Sequence, residues 1–337
     1  MSEVNNNARS IEEWAKGFAT LYAIPDSYRR PEEFWNATMA HISVIGESIR
    51  RTHYHDLIKA AIHTFCWMCC YVDKCNNTSD RVFKVKHSLS EIVGIKFPLI
   101  CGHCGEKTCQ CDPIKMDAEG DKSSKYGELL KEWKKIQPGL NNFAIDTWID
   151  VFRRIYGGRI HLLAFENLGF HLLEEAGEEA MAVRQLVQFR GIPQENIEGV
   201  DDSFLERIAY IPDLIEEYRD TMKELKNRFG TTSDKVVLKE KIRSTDDSPE
   251  AIRIRLLKGK VDFFIELADT FSWFCAVLLK LEEIVKNMAL PDDKAKSFQI
   301  ERSIIERYRS PDPNTPLTCY ACEETQCKCL FFPEKDI

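Results

Sequence analysis

The sequence predicts an all-α protein, and three observations support that prediction. The chain of 337 residues is 44% hydrophobic and 30% charged, with only 16 Gly and 13 Pro, as in a folded protein. Long segments rich in Leu, Glu, Lys, Arg and Ala favour helices, and alternating Val, Thr and Ile runs, which favour strands, are scarce. Third, four sequence blocks recur in one order in the two halves. We therefore expect two tandem helical bundles.

Each half is expected to contain a first helix, a second helix with a Gly-Glu element, a third helix with a Thr-Phe-x-Trp element, and a loop with four cysteines. The recurrence of all four in the same order indicates an internal duplication. The matching blocks are Trp14, Phe18, Leu21 and Tyr22 with Trp148, Phe152, Ile155 and Tyr156; ISVIGESI from Ile42 with LEEAGEEA from Leu173; HTFCWMC from His63 with DTFSWFC from Asp269; and CGHCGEKTCQC from Cys101 with CYACEETQCKC from Cys319.

The duplication sets the predicted domain boundaries. The first unit covers 1–112, a polar linker covers 113–125, and the second unit covers 126–337. The second unit is longer because of an insertion at about 191–249, where an acidic helical segment precedes a stretch rich in Ser, Thr, Asp and Gly. That composition predicts a surface loop for part of the insertion.

Charge and hydropathy narrow the class of protein. The net charge of −8 argues against a nucleic-acid partner and is compatible with an acidic pocket for divalent cations. The amino-terminal segment lacks an apolar core, and no run reaches the length of a membrane span. We therefore expect a cytoplasmic protein, in which the 13 cysteines are thiols or metal ligands rather than disulfides.

The two cysteine loops share the spacing CxxC-x4-CxC. Four thiolates so close in sequence can surround one tetrahedral ion, and they leave no open position for water or substrate. A structural zinc ion is expected in each loop, and an iron–sulfur cluster is the alternative that the same ligands allow. The predicted ligands are Cys101, Cys104, Cys109 and Cys111 in the first loop, and Cys319, Cys322, Cys327 and Cys329 in the second.

Acidic residues in the second unit form the other candidate site. The helix predicted at Val261 to Leu281 is apolar on nearly every face, yet Glu266 and Asp269 project from the same side of it. A carboxylate in such a setting is costly unless it is paired or binds a cation. If the Gly-Glu helix packs beside it, its three carboxylates face these two, and oxygen ligands of this kind suit Mg²⁺ or Mn²⁺. Those three are Glu174, Glu175 and Glu178.

An EExxE element followed by ExxD on a later helix resembles the MazG-like all-α nucleoside triphosphate pyrophosphohydrolases. The resemblance covers roughly Asp146 to Glu283, with a fainter copy across Trp14 to Cys75. It implies a helical bundle in which the five acids hold Mg²⁺, and hydrolysis of a nucleoside triphosphate to monophosphate and pyrophosphate. The sequence departs from the family in the longer gap between the two motifs and in the cysteine loops.

The first unit is expected to be catalytically inactive. It keeps Glu47, but Ser43 and Val44 occupy the positions of the paired glutamates, and Ala60 and His63 occupy those of the ExxD acids. One glutamate and one histidine cannot hold a magnesium cluster of this kind. Because the family builds its bundles from paired subunits, the resemblance implies a pseudo-dimer with one active site per chain, and further self-association stays open.

The expected chemistry is attack of water on a phosphorus of the triphosphate. We predict that Glu175 and Glu178 act in catalysis, with Glu175 as the first choice to accept the proton. The predicted substrate-binding residues are Arg154, Arg159, Lys280 and Trp273.

Two alternatives to an enzyme remain. The degenerate first unit is also compatible with a non-catalytic scaffold or regulatory protein that docks through its zinc loops. Cysteine loops of this kind can also contact nucleic acid, although acidic residues flank both of them.

Overall fold

A computed structural model of the chain describes residues 8–101, 104–111, 126–192, 249–288, 299–310 and 314–329. Within these ranges the regular structure is helical and no strand occurs, which confirms the predicted all-α class for this part of the chain. The predicted linker and nearly all of the predicted insertion lie outside the described residues. The helices are α1 Ile11–Leu21, α2 Ala23–Ser27, α3 Pro31–Arg51, α4 Tyr54–Asn77, α5 Leu89–Lys96, α6 Tyr126–Leu140, α7 Ile145–Leu162, α8 Phe165–Val187, α9 Pro249–Met288 and α10 Ile300–Tyr308.

Two helices begin with the same capping signal. The side chain of Ser10 accepts a hydrogen bond from the backbone N–H of Glu13, and the Glu13 carboxylate accepts one from the backbone of Ser10. Ser88 and Glu91 repeat this arrangement at the start of α5. Such reciprocal caps satisfy N–H groups that a helix leaves unpaired, and a capping side chain typically contributes about 1 kcal/mol. The cap therefore fixes where the short helix α5 begins.

The centre of the molecule is a layer in which α8 packs along α9, α3 packs along α4, and α3 packs on α8. The approach of α3 to α8 depends on Gly46, because a Cβ there would lie 2.9 Å from a methyl carbon of Leu173. On α9, the apolar residues predicted from the sequence are buried, including Phe263, Phe271 and Phe274. Full burial of a side chain of this size contributes about 1.5–3 kcal/mol, so α9 is a central part of the core.

Several packing contacts in the first half have an equivalent in the second half. Trp14 stacks on Phe18 with ring centroids 5.7 Å apart, and Trp148 stacks on Phe152 at 5.9 Å. Helix α1 packs on α4, and α7 packs on α9. Helix α5 from the first half packs on α9, and α10 from the second half packs on α4. The last described helix of each half therefore packs against the other half.

None of the described helices combines the length and the apolar character that a membrane crossing requires.

Candidate functional site

Three carboxylates from two helices converge in the second half. Glu175 lies on α8, and Glu266 and Asp269 lie one turn apart on α9. Each of the three offers a carboxylate oxygen, and these oxygens all lie within 4.8 Å of one another. Because α8 packs along α9, residues that are 91 and 94 positions apart in the sequence meet at one point. We call these three residues the acidic cluster.

The acidic cluster is electrostatically unfavourable when all its members are ionised. Partial burial and then the charge of Asp269 raise the pKa of Glu175 to about 7 and that of Glu266 to about 8. Burial also raises the pKa of Asp269, although Lys96 opposes that rise. Like charges at this distance disfavour one another's ionisation, and a bound cation reverses the effect. The cluster therefore has the donor atoms and the electrostatic character of a divalent cation site.

The other two predicted acids differ in position. The charge of Glu178 contributes to the raised pKa values of all three cluster members, so Glu178 lies beside the cluster, with its own side chain exposed. Glu174 is also exposed, and its carboxylate lies 3.3 Å from Nδ1 of His171. The structure therefore brings together three of the five predicted ligands. Glu178 lies at the edge of this group, and Glu174 lies next to a histidine instead.

Lys96 is a site residue that the sequence reasoning did not identify. Its ammonium group forms an ion pair with the Asp269 carboxylate. Lys96 is the last residue of α5, a helix of the first half, and it reaches the acidic cluster because α5 packs on α9. The cluster is therefore built by both halves, and the first half supplies its positive charge.

Glu179 is the second residue that was missed. It is completely buried and accepts a hydrogen bond from the Tyr71 hydroxyl at 3.2 Å, and its other carboxylate oxygen has no partner among the described residues. Burial raises the pKa of Glu179 well above the ordinary value, because a carboxylate in this position would lose its hydration. Helical periodicity could have predicted that Glu179 is buried, because it lies on the same face of α8 as Leu172, Ala176 and Val183.

The four predicted substrate-binding residues have different surroundings. Trp273 stacks on His171 with ring centroids 4.4 Å apart, and it lies close enough to Glu175 to oppose the rise in that residue's pKa. Arg154 donates to the Leu99 carbonyl, and Arg159 donates to the Cys109 sulfur. Lys280 contacts the His161 carbonyl and the Glu283 carboxylate, both at 3.1 Å. Of these four, Trp273 is the residue that the structure places beside the acidic cluster.

Each predicted set of four cysteines forms a compact group. In both loops the four sulfur atoms lie within 4.8 Å of one another, so either loop can hold a metal ion. In the first loop, backbone N–H groups of Gln110 and Glu106 overcome the effect of partial burial and lower the pKa of Cys104 to about 7. The N–H groups of Lys328 and Glu324 do the same for Cys322. Thiolates stabilised in this way are the ligand form that a metal requires.

The two cysteine loops also share a backbone conformation. Gly105 and Glu323 each follow the second cysteine, and both have positive φ values, of 69° and 58°. The N–H of Gly105 donates to the Cys101 carbonyl, and the N–H of Glu323 donates to the Cys319 carbonyl. This left-handed turn brings the second cysteine back towards the first, and it favours glycine.

Each cysteine loop docks on a helix of the opposite half, the first loop on α7 and the second loop on the end of α1. The N–H of Cys109 donates to the Ile155 carbonyl at 2.8 Å, and the N–H of Cys327 donates to the Leu21 carbonyl at 2.7 Å. Ile155 and Leu21 are matching positions in the predicted duplication. The same bond therefore occurs twice, once in each direction between the halves.

Comparisons of the chain with protein-family models, with curated proteins and with solved structures found no match. The geometry of the two kinds of site therefore carries the functional argument.

Proposed function

We propose that the protein is a nucleoside triphosphate pyrophosphohydrolase that depends on Mg²⁺ or Mn²⁺ and releases pyrophosphate and a nucleoside monophosphate. The observation that carries the proposal is the convergence of Glu175, Glu266 and Asp269 from two helices. Apolar packing alone does not explain why three acids with raised pKa values should meet in a partly buried position. The proposal also agrees with the family that the acidic motifs resemble.

The acidic cluster fits a hard divalent cation. Its donors are carboxylate oxygens, which Mg²⁺ and Mn²⁺ prefer, and Glu178 at its edge adds a further acceptor. A cation bound there would polarise the phosphate oxygens and neutralise charge on the pyrophosphate leaving group. In this proposal Glu175, Glu266 and Asp269 hold the ion, with Glu178 beside them.

The remaining residues suggest how substrate is positioned. Partial burial and the charge of Asp269 raise the pKa of Glu175 when no cation is bound. A bound cation would oppose that rise and favour the carboxylate form, which can take the proton of the attacking water. Lys96 forms an ion pair with Asp269 when no metal is bound. When a cation binds Asp269, the ammonium group of Lys96 can instead bind a phosphate oxygen of the substrate. The stacked rings of His171 and Trp273 form an aromatic surface next to the cluster, which suits a nucleobase.

We also propose that the molecule is an intrachain pseudo-dimer with a structural zinc ion in each cysteine loop. The matched turns and the reciprocal hydrogen bonds to Ile155 and Leu21 support this interpretation. In the first half, Glu47 is exposed and paired with Arg50 and Arg51, away from any acidic partner among the described residues. One active site per chain follows, and the first half contributes Lys96 to it.

The test is a panel of canonical and modified nucleoside triphosphates with Mg²⁺, followed by detection of pyrophosphate and monophosphate. We expect Glu266→Gln and Asp269→Asn to lower the rate by roughly 100-fold or more, because each removes a ligand charge. Glu166→Gln is the matched control, since Glu166 is an exposed acid in the first turn of α8. If the panel yields no pyrophosphate, or all three variants retain the wild-type rate, the scaffold interpretation replaces the enzyme.

A further inference from the structure

A group of basic and aromatic side chains from both halves surrounds His63 of α4, and nothing in the proposed reaction uses it. Arg307 of α10 donates a hydrogen bond to Nε2 of His63 at 2.9 Å, and its guanidinium carbon lies 4.0 Å from the centre of the Tyr320 ring. His41 of α3 stacks on His63 with ring centroids 4.9 Å apart. Lys59 is close enough for its charge to affect His63. We call these five residues the cationic pocket.

The positive charge of this pocket has no counter-ion in the part of the chain that the structure describes. No described carboxylate forms an ion pair with Arg307, and its buried Nε atom has no hydrogen-bond partner there. The imidazole of His63 is a neutral acceptor, and burial followed by the charge of Arg307 lowers its pKa to about 2. The same two causes lower the pKa of His41 to about 4. A partly buried guanidinium without an anion is unfavourable.

The cationic pocket corresponds in position to the acidic cluster. His63 aligns with Asp269 in the duplicated blocks, and Ala60 aligns with Glu266. Arg307 reaches His63 from α10, a helix of the second half that packs on α4. In the same way, Lys96 reaches Asp269 from α5, a helix of the first half that packs on α9. The first half therefore keeps the cation contributed by the opposite half and replaces its carboxylate partner by an imidazole. The site in the first half therefore carries positive charge where the acidic cluster carries negative charge.

We propose that the cationic pocket binds the phosphate group of an anionic ligand. A guanidinium offers several N–H donors in a plane, which matches phosphate oxygens, and two imidazoles and an ammonium group can add to them. His63, which is 5% exposed, forms the floor, while His41, Arg307 and Tyr320 are only partly buried and leave the edge open to solvent. This site is separate from the acidic cluster and does not depend on the proposed reaction.

The test measures phosphate binding to the full-length protein at pH 7 without added divalent cations, so that no added metal ion at the acidic cluster can bind the phosphate. With histidine side chains labelled for NMR, we expect inorganic phosphate to shift the signals of His41 and His63, out of eight histidines, in a saturable manner. Parallel titrations with a nucleoside monophosphate and a nucleoside triphosphate distinguish free phosphate from a nucleotide as its source. Tighter binding of a nucleotide would identify the pocket as a nucleotide site.

The matched variants lie on one helix. Arg307→Gln should weaken phosphate binding by at least about tenfold, because it removes the principal donor. Arg302→Gln removes an exposed arginine of α10 that pairs with Glu306, and it should bind as the wild type does. Should Arg307→Gln fail to fold, His41→Leu, which installs the residue found at the matching position 172, serves instead. No saturable histidine shift in the wild type, or equal affinity in all variants, would overturn the proposal.

Discussion

Replacing Glu266 by Gln should change the pH dependence of stability in a direction that the acidic cluster dictates. Raising the pKa of Glu266 from 4.5 to about 8 means that the folded chain keeps a proton that the unfolded chain has lost. Folding stability must then fall as the pH rises from about 4.5 through 8. In Glu266→Gln this loss disappears, so the variant should be more stable than the wild type at pH 9 and equally stable near pH 4.

The size of the effect follows from the pKa difference. At 1.36 kcal/mol per pH unit, the rise from 4.5 to about 8 corresponds to about 5 kcal/mol if all of it is linked to unfolding. We expect about 2 kcal/mol, because one proton shared among the cluster members relieves most of the repulsion. For a chain of 337 residues that is roughly 3 °C in Tm.

Thermal and urea unfolding between pH 4 and 9, without added divalent cations, measures this difference, with Glu166→Gln as control. Chelators are avoided because they would also act on the cysteine loops. Adding Mg²⁺ at pH 8.5 should restore the stability of the wild type by binding to the folded state and have a smaller effect on Glu266→Gln. Parallel pH curves for the wild type and Glu266→Gln would refute the electrostatic reasoning, and an absence of Mg²⁺ stabilisation would refute the cation site.

Three further predictions concern other parts of the molecule. Metal analysis of the purified protein should find about two zinc ions per chain. Cys104→Ala should lower this number to about one because it removes a ligand of the first loop, as measured by atomic emission and compared with Cys66→Ala. Glu179→Gln should raise the unfolding free energy at pH 8, because burial raises the pKa of Glu179 and the wild type therefore loses stability as the pH rises. Near pH 4, where the unfolded carboxyl group is also largely protonated, the variant should change little; a fall at pH 8 in denaturant titrations would contradict this. His41→Leu should reduce the loss of stability between pH 6.5 and 4 by on the order of 2–3 kcal/mol, because the wild-type imidazole, with a pKa of about 4, resists protonation when folded; equal acid midpoints would count against it.

The cysteine loops and the helix class were accessible from the sequence because their signals are local. The spacing of Cys101, Cys104, Cys109 and Cys111 already limits the sulfur atoms to a small volume, and the structure places all four together. Likewise, Glu266 and Asp269 share a face of one helix whatever that helix packs against. The remaining cluster member, Glu175, was predicted on the condition that its helix packs beside theirs, as α8 does beside α9.

Other site residues depend on packing that sequence periodicity does not specify. Lys96 reaches Asp269 from a helix of the opposite half, so no spacing rule within the second half could identify it. Glu174 and Glu175 are neighbours in sequence, and a small difference in helix rotation decides which one joins the cluster. Glu179 could have been found, because strict periodicity places it on the buried stripe of α8.

The reciprocal docking of the cysteine loops has a consequence for the order in which the chain can fold during synthesis. The carbonyl of Leu21 meets its partner, the N–H of Cys327, only after 306 further residues have been made. At typical translation speeds this takes roughly 15 to 60 s. The contact between Cys109 and Ile155 closes much earlier, because only 46 residues separate them. The carbonyl at the end of α1 therefore lacks this partner until Cys327 has been made, long after the contact between Cys109 and Ile155 can form.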